Sequence, residues 1–300
     1  MEFRKYQHVE RFGNTEVDGI ETGKLFIFPK VDGTNASIWL HDGEVKAGSR
    51  NRELSLEKDN AGFYNWVIKQ ENIKQYLLNH PNHRLYGEWL VPHSIKTYRD
   101  NAWRNLYVFD VIVEHEDDEF EYLSYDTYKP LLEEFNIEYI PPITTMINGD
   151  YDVFIKQLER NTFLIKDDEG TGEGIVIKNY EFINKYGRTT WAKIVTNEFK
   201  EKHKKTMGGS VIRNDSLVEE RILEDFCTTA FIEKEYSKII NENNGWQSKY
   251  IPMLFNKVYY ELITEEIWHI IKKYKNPKIN FKLLFNLITN KIKAVKTELF

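Results

Sequence analysis

Apolar positions fall in short blocks through the first two thirds of the chain and recur at helical spacing through the last third. Leu25–Val31, Asn35–Leu40 and Glu44–Gly48 are β-like runs, with His41-Asp42-Gly43 as a hairpin turn between the last two. Leu85–Val91 and Leu106–Glu114 predict two longer strands, and Gly174–Lys178 and Thr190–Val195 the final ones. Residues 57–78 predict a helix whose face is Phe63, Trp66, Val67, Ile73, Tyr76 and Leu77, ended by His80-Pro81. Ser124–Phe135 and Tyr151–Glu159 predict two more, the second after the Asn148-Gly149 turn. The acidic run Glu114–Glu121 reads as a loop at a hairpin tip.

After about residue 203 the period changes. Leu217, Ile222, Leu223 and Phe226, then Val258, Leu262, Ile263, Ile267, Ile270 and Ile271, then Leu283, Leu284, Leu287, Ile288 and Ile292 follow helical spacing. Pro252 and Pro277 punctuate them, and Met207-Gly208-Gly209-Ser210 predicts a linker. The expected organisation is a β-rich domain over 1–203, a linker over 204–215 and an all-helical domain over 216–300. There is no internal repeat.

Composition adds a compartment and a charge asymmetry. The chain is 41% hydrophobic with 18 Tyr, 18 Phe and 7 Trp, enough for a core. No run of about 18 apolar residues appears, so no membrane partner is expected, and the start lacks a secretory pattern. A single cysteine, Cys227, excludes an internal disulfide and favours a reducing cytoplasm. Cys227 is expected in a helical core. The net charge is −6, yet residues 204–300 hold 16 Lys+Arg against 12 Asp+Glu, leaving 25 against 35 in the rest. From Ile267 to Thr297 there are eight lysines and no acid. Such a stretch on a folded segment suggests a polyanion, although for a lysine run alone a solvated helix face is the better reading.

Charged residues inside apparent strands carry the candidate chemistry. Gly19-Ile20-Glu21-Thr22-Gly23-Lys24-Leu25 is one residue short of a phosphate loop, and Gly170-Thr171-Gly172-Glu173-Gly174 precedes a strand rather than a helix. Phosphate chemistry therefore falls to side chains. Lys30 and Asp32 project to the same face as Phe26 and Phe28, and Gly33 and Asn35 follow. Tyr86-Gly87-Glu88-Trp89 and Phe109-Asp110-Val111 put carboxylates in aromatic strands, where an unpaired charge is costly. Glu173-Gly174-Ile175-Val176-Ile177-Lys178, Trp191-Ala192-Lys193-Ile194-Val195 and Ala47-Gly48-Ser49-Arg50-Asn51 add further charges. Each alone reads as a salt-bridged edge residue.

Together and in this order they resemble the covalent nucleotidyltransferase superfamily: ATP-dependent DNA ligases, RNA ligases and capping enzymes. The Lys30-x-x-Gly33-x-Asn35 extension and Lys193 through Glu201 resemble the nick-sealing, second phage type of ATP-dependent RNA ligase. The helical tail is similar to that family's, where the DNA ligases and capping enzymes carry a β-barrel. The resemblance implies an α+β fold: an ATP-grasp-like ligase domain of antiparallel sheets with flanking helices, then a small all-helical C-terminal domain. It also implies a reaction. Lys30 takes AMP from ATP, AMP passes to an RNA 5′-phosphate, and a 3′-hydroxyl displaces it. The implied host is a bacterial or phage-infected cell.

For the site, the resemblance implies Lys30, Lys178 and Lys193 as catalytic. Their mutual charge is expected to favour the free amine and neutralise phosphate. Arg50, Glu88, Phe109, Asn35 and Asp32 are expected at ATP or AMP: Glu88 on a ribose hydroxyl, Phe109 on adenine, Arg50 on ribose or phosphate. Glu173 is the expected ligand of Mg²⁺ (or Mn²⁺), a hard cation suited to carboxylates. Lys272, Lys273, Lys275 and Lys278 are expected on the RNA backbone. Where the family has a second lysine two residues after Lys193, this chain has Val195, and Arg188, Lys200 or Lys202 are the nearby substitutes. His80 and His83, with Pro81 between them, read as a loop.

Two other readings stay open: a DNA or polynucleotide nick ligase, and a non-catalytic nucleotide- or RNA-binding relative. The ligase reading calls for RNA with 3′-hydroxyl and 5′-phosphate ends, and is compatible with a separate end-healing kinase or phosphatase.

Overall fold

The computed structural model describes residues 1–91, 98–116, 119–195 and 218–300. The expected linker, Lys200, Lys202 and the turn after Val195 lie outside the described residues. The chain divides into two compact units, 1–207 and 208–300.

The first unit is built on two five-stranded sheets. One contains β1 (Glu10–Arg11), β10 (Ala192–Val195), β9 (Gly174–Lys178), β2 (Lys24–Lys30) and β8 (Thr144–Ile147), in that spatial order. The other runs β4 (Glu44–Ser49), β3 (Thr34–His41), β5 (His83–Leu90), β6 (Asn105–Glu114) and β7 (Phe120–Tyr122). All neighbours are antiparallel except β1 and β10. The turn joining β3 to β4 places Asp42 and Gly43 at positive φ, which suits the twist of a tight hairpin.

Register explains which residues reach a common face. Lys30 pairs with Gly174 and Phe28 with Val176, while Val195 pairs with Gly174 and Lys193 with Val176. Side chains alternate along a strand, so Lys30, Phe28, Phe26, Lys193 and Lys178 share one face. The opposite face, with Leu25, Ile27, Ile175, Ile177 and Ile194, packs on Phe154 and Leu158 of α4 (Tyr151–Leu158). Asp150 caps that helix by accepting from the Val153 N–H at 2.8 Å.

The helix expected over 57–78 is two, α1 (Phe63–Val67) and α2 (Glu71–Asn79). Ala61 and Gly62 are left-handed, and Gln70 is extended. Buried Asp59 accepts from the N–H groups of Asn60, Tyr64 and Asn65, which fixes the entry to α1. The next helix, α3 (Tyr125–Glu134), packs Tyr128 and Leu132 into the main core with Trp89 and Val108.

The second unit has four helices among its described residues: α5 (Val218–Phe226), α6 (Thr229–Asn243), α7 (Ile251–Tyr274) and α8 (Phe281–Val295). Ile222, Ile239, Val258, Leu262, Leu284 and Ile288 meet in its core. Pro252 sits in the first turn of α7, where its missing N–H costs nothing. Cys227 is fully buried in this core, just past α5 rather than inside a helix, and burial pushes its thiol up to about 11. No helix among the described residues is long and apolar enough to cross a membrane.

Candidate active site

Lys30 closes β2, and its Nζ lies 2.5 Å from Glu173 Oε2. Both side chains are largely covered, at 22% and 12% exposure, so this ion pair is shielded from bulk water without being sealed. The pairing follows from register: Glu173 directly precedes Gly174, the residue opposite Lys30. Gly174 is required by close approach, since a Cβ there would lie 2.2 Å from the Ile194 carbonyl oxygen.

The loop after Lys30 turns back against β5. The Gly33 N–H donates to Glu88 Oε1 at 2.9 Å, and a Cβ on Gly33 would lie 2.6 Å from the Trp89 carbonyl oxygen. The glycine thus lets the loop touch the strand that bears Glu88. Burial pushes the Glu88 carboxyl up to about 7, with the negative charges of Asp32 and Glu173 adding to the push. The Lys30 charge and the Gly33 N–H pull the other way. Lys30, Asp32 and Glu173 therefore all act on Glu88, and Lys30 pairs with Glu173 as well. Asn35 lies opposite Glu88, half-buried.

Two residues that the sequence reading missed hold this site. The hydroxyl of buried Tyr98 accepts from the Asp32 N–H at 2.9 Å. Buried Asn161 donates to the Gly174 carbonyl at 2.6 Å and accepts at its own carbonyl from the Gly172 N–H at 2.8 Å, bracketing Glu173. Neither stands in a pattern that marks it in advance.

Lys178 lies elsewhere. It pairs in register with Phe26, four positions along β2 from Lys30. Its Nζ donates to Asp110 Oδ1 at 2.7 Å and to the Phe109 carbonyl at 2.6 Å, beneath the rings of Phe28, Phe109 and Trp191. Burial lowers its pKa, against the pull of Asp110. The ammonium expected among the catalytic lysines is thus held by the Asp110 carboxylate in the ligand-free chain. Lys193 is buried one register row from Lys30, in line with Val176 and Phe28. Val195 occupies the row of Lys30 itself. Arg50 is exposed, with its Nη2 3.4 Å from His8 Nδ1. Arg188 is exposed as well.

The lysines of the second unit divide. Lys272, Lys275 and Lys278 are exposed, whereas Lys273 and Tyr274 both donate to Asp225. His83, expected in a loop, stands in β5, where Tyr76 OH lies 2.8 Å from its Nδ1 and burial lowers its pKa to about 4.

A family model described as RNA ligase matches residues 23–195, which contain every element of this site. The chain belongs to the RNA ligase family. As a member of that family it falls in the nucleotidyltransferase superfamily. Among solved structures, an apo form of Naegleria gruberi RNA ligase superposes with a TM-score of 0.50 at 20% identity. That match covers 67% of this chain and 58% of the other. The same enzyme with pyrophosphate gives 0.50 at 22% identity, covering 68% and 58%. At such identity the likeness concerns the fold, and it agrees with the α+β class read from the strands and helices. No curated protein matches the chain.

Proposed function

We propose that this RNA ligase family chain is an ATP-dependent RNA ligase, with Lys30 as the nucleophile. The observation that carries the reading is the covered Lys30–Glu173 pair beside Glu88, on strands that the family match spans. In the first step the Lys30 amine, having given up a proton, attacks the α-phosphorus of ATP. A P–N bond forms, the bond to the bridging oxygen breaks, and pyrophosphate leaves with the electron pair. In the second, an RNA 5′-phosphate oxygen attacks the lysyl-AMP and frees Lys30. In the third, an RNA 3′-hydroxyl attacks the adenylylated phosphate and AMP departs. Support for the leaving group comes from the Naegleria enzyme, which has been solved with pyrophosphate.

Glu88 is suited to a ribose hydroxyl, Phe109 to the adenine face, Asn35 and Asp32 to phosphate, and Lys193 to charge on the α-phosphate. Among the described residues no group of three His, Cys, Asp or Glu could hold a metal alone. Mg²⁺ does not need one, because it keeps several waters and leans on substrate phosphates, so the single carboxylate of Glu173 fits. When bound, such an ion supplies positive charge to the phosphates. A reducing cytoplasm is the proposed compartment, from the single buried thiol.

The test is incubation with α-labelled ATP and Mg²⁺. Wild type should acquire a covalent AMP label, and Lys30→Ala none. A label that persists in the alanine variant removes Lys30 from the mechanism. Nicked duplexes carrying RNA or DNA at the 3′-hydroxyl side then separate RNA from DNA sealing.

A further inference from the structure

The segment before β2 crosses from one sheet to the other. Residues 2–4 lie along the second sheet: the Glu2 carbonyl accepts from Arg84 at 2.5 Å, and the Arg4 carbonyl accepts from Tyr86 OH at 3.0 Å. Residues 10–12 lie along the first, where the Glu10 N–H donates to the Trp191 carbonyl and the Phe12 N–H to the Lys193 carbonyl, both at 2.9 Å. Between these anchors stand Tyr6 and His8.

Tyr6 is buried, and its hydroxyl donates to Asp110 Oδ2 at 2.5 Å. The same carboxylate receives Lys178 at 2.7 Å and Trp191 Nε1 at 3.2 Å. The Tyr6 ring meets the Phe109 ring edge-on, with centroids 5.0 Å apart. His8 Nδ1 faces the Arg50 guanidinium at 3.4 Å. One strap therefore touches Phe109, which the proposed function assigns to adenine, and Arg50, which the sequence resemblance places on ribose or phosphate, from a stretch that lies before the family match begins at residue 23.

We infer that Tyr6 and His8 are positioning residues of the nucleotide site: Tyr6 sets the Phe109 ring and the Asp110–Lys178 pair behind it, and His8 aims Arg50. The inference rests on the ligase reading. Its physical basis is preorganisation. A ring braced at its edge and a guanidinium held by a neighbour lose less freedom when a nucleoside triphosphate arrives. Lys178 on this account works through Asp110 and Phe109, with no phosphate contact of its own.

The experiment compares wild type, His8→Gln, Tyr6→Phe and Tyr6→Leu as full chains. Affinity for α,β-methylene-ATP, which binds without transferring AMP, is measured by calorimetry. Labelling rates across ATP concentrations give KM and the limiting rate, and a thermal melt reports folding. Losing one hydrogen bond of ordinary strength predicts an affinity and KM about 5-fold poorer in His8→Gln and Tyr6→Phe. Their limiting rates should stay within about 2-fold, since no reacting atom is touched. Tyr6→Leu should be worse than Tyr6→Phe, because the ring is lost too. The melt of His8→Gln should match wild type, since the Arg50 contact is exposed, which separates aiming from mere stability. A wild type that takes up the analogue and the label while His8→Gln and Tyr6→Phe match its affinity overturns the inference alone. A wild type that takes up neither overturns the ligase reading and the inference with it.

Discussion

The covered carboxylates differ in what they are held against. Glu173 has an ammonium 2.5 Å away, whereas Glu88 has a backbone N–H at 2.9 Å and a pKa of about 7. A carboxyl whose folded pKa lies above its unfolded one stabilises the fold fully below the unfolded value. That contribution is lost as pH rises through the folded one. For Glu88 the window runs from the ordinary carboxylate range near 4.5 up to about 7. The ligand-free chain should therefore lose stability across that window, by at most about 3 kcal/mol. Glu88→Gln keeps an oxygen for the Gly33 N–H and should flatten the loss. Denaturant melts at pH 5 and pH 8 check this, and equal slopes in the two proteins would exclude it. Lys30 and Glu88 stand within apolar runs and Glu173 at the start of one, and it is their order along the chain, rather than any one of them, that drew them together in the sequence. Tyr98 and Asn161 were not legible: their partners stand 66 and 13 residues away, and contacts at such separations leave no local pattern.

Strand order decides where those residues meet. Lys30 and Glu173 are neighbours because β2 and β9 are, and β9 keeps its distance from β10 through a residue without a side chain. Gly174→Ala puts a carbon 2.2 Å from the Ile194 oxygen, and a backbone atom has little room to yield. The substitution should cost about 1–3 kcal/mol and lower the labelling rate by more than about tenfold, since Glu173 moves with it. Thermal melts and single-turnover labelling read the two effects, and a normal rate in folded Gly174→Ala would show that the site tolerates a shifted β9. The apolar runs marked most strands well, β2, β3, β5, β6 and β9 among them. They missed β1, β7 and β8, which are two to four residues long and take their place from pairing rather than composition. The single helix over 57–78 failed for a related reason: its periodicity is real, but Asp59 and the left-handed Ala61–Gly62 start the helix late.

At the level of the chain, each unit has its own buried cluster. Residues 1–207 expressed alone should still take the AMP label, since every residue assigned to that step lies there. The basic tail contributes unevenly. If Lys272, Lys275 and Lys278 lie on RNA phosphates, replacing all three with glutamine should reduce the salt slope of RNA binding by about 2–3. Lys273→Gln should instead lower the melting point of the helical unit, because it removes a partner from Asp225. Binding isotherms at several salt concentrations distinguish these, and an unchanged slope in the triple variant would place the RNA elsewhere.

Cys227 makes that second unit observable by itself. It is the chain's single sulfhydryl, it has no exposure, and its raised pKa keeps the nucleophilic thiolate scarce. An alkylating reagent can reach it only when the helices part, so the pace of alkylation clocks their opening with no engineered probe. The same clock, run with and without a nicked duplex, would report how far a bound nucleic acid restrains the helical unit.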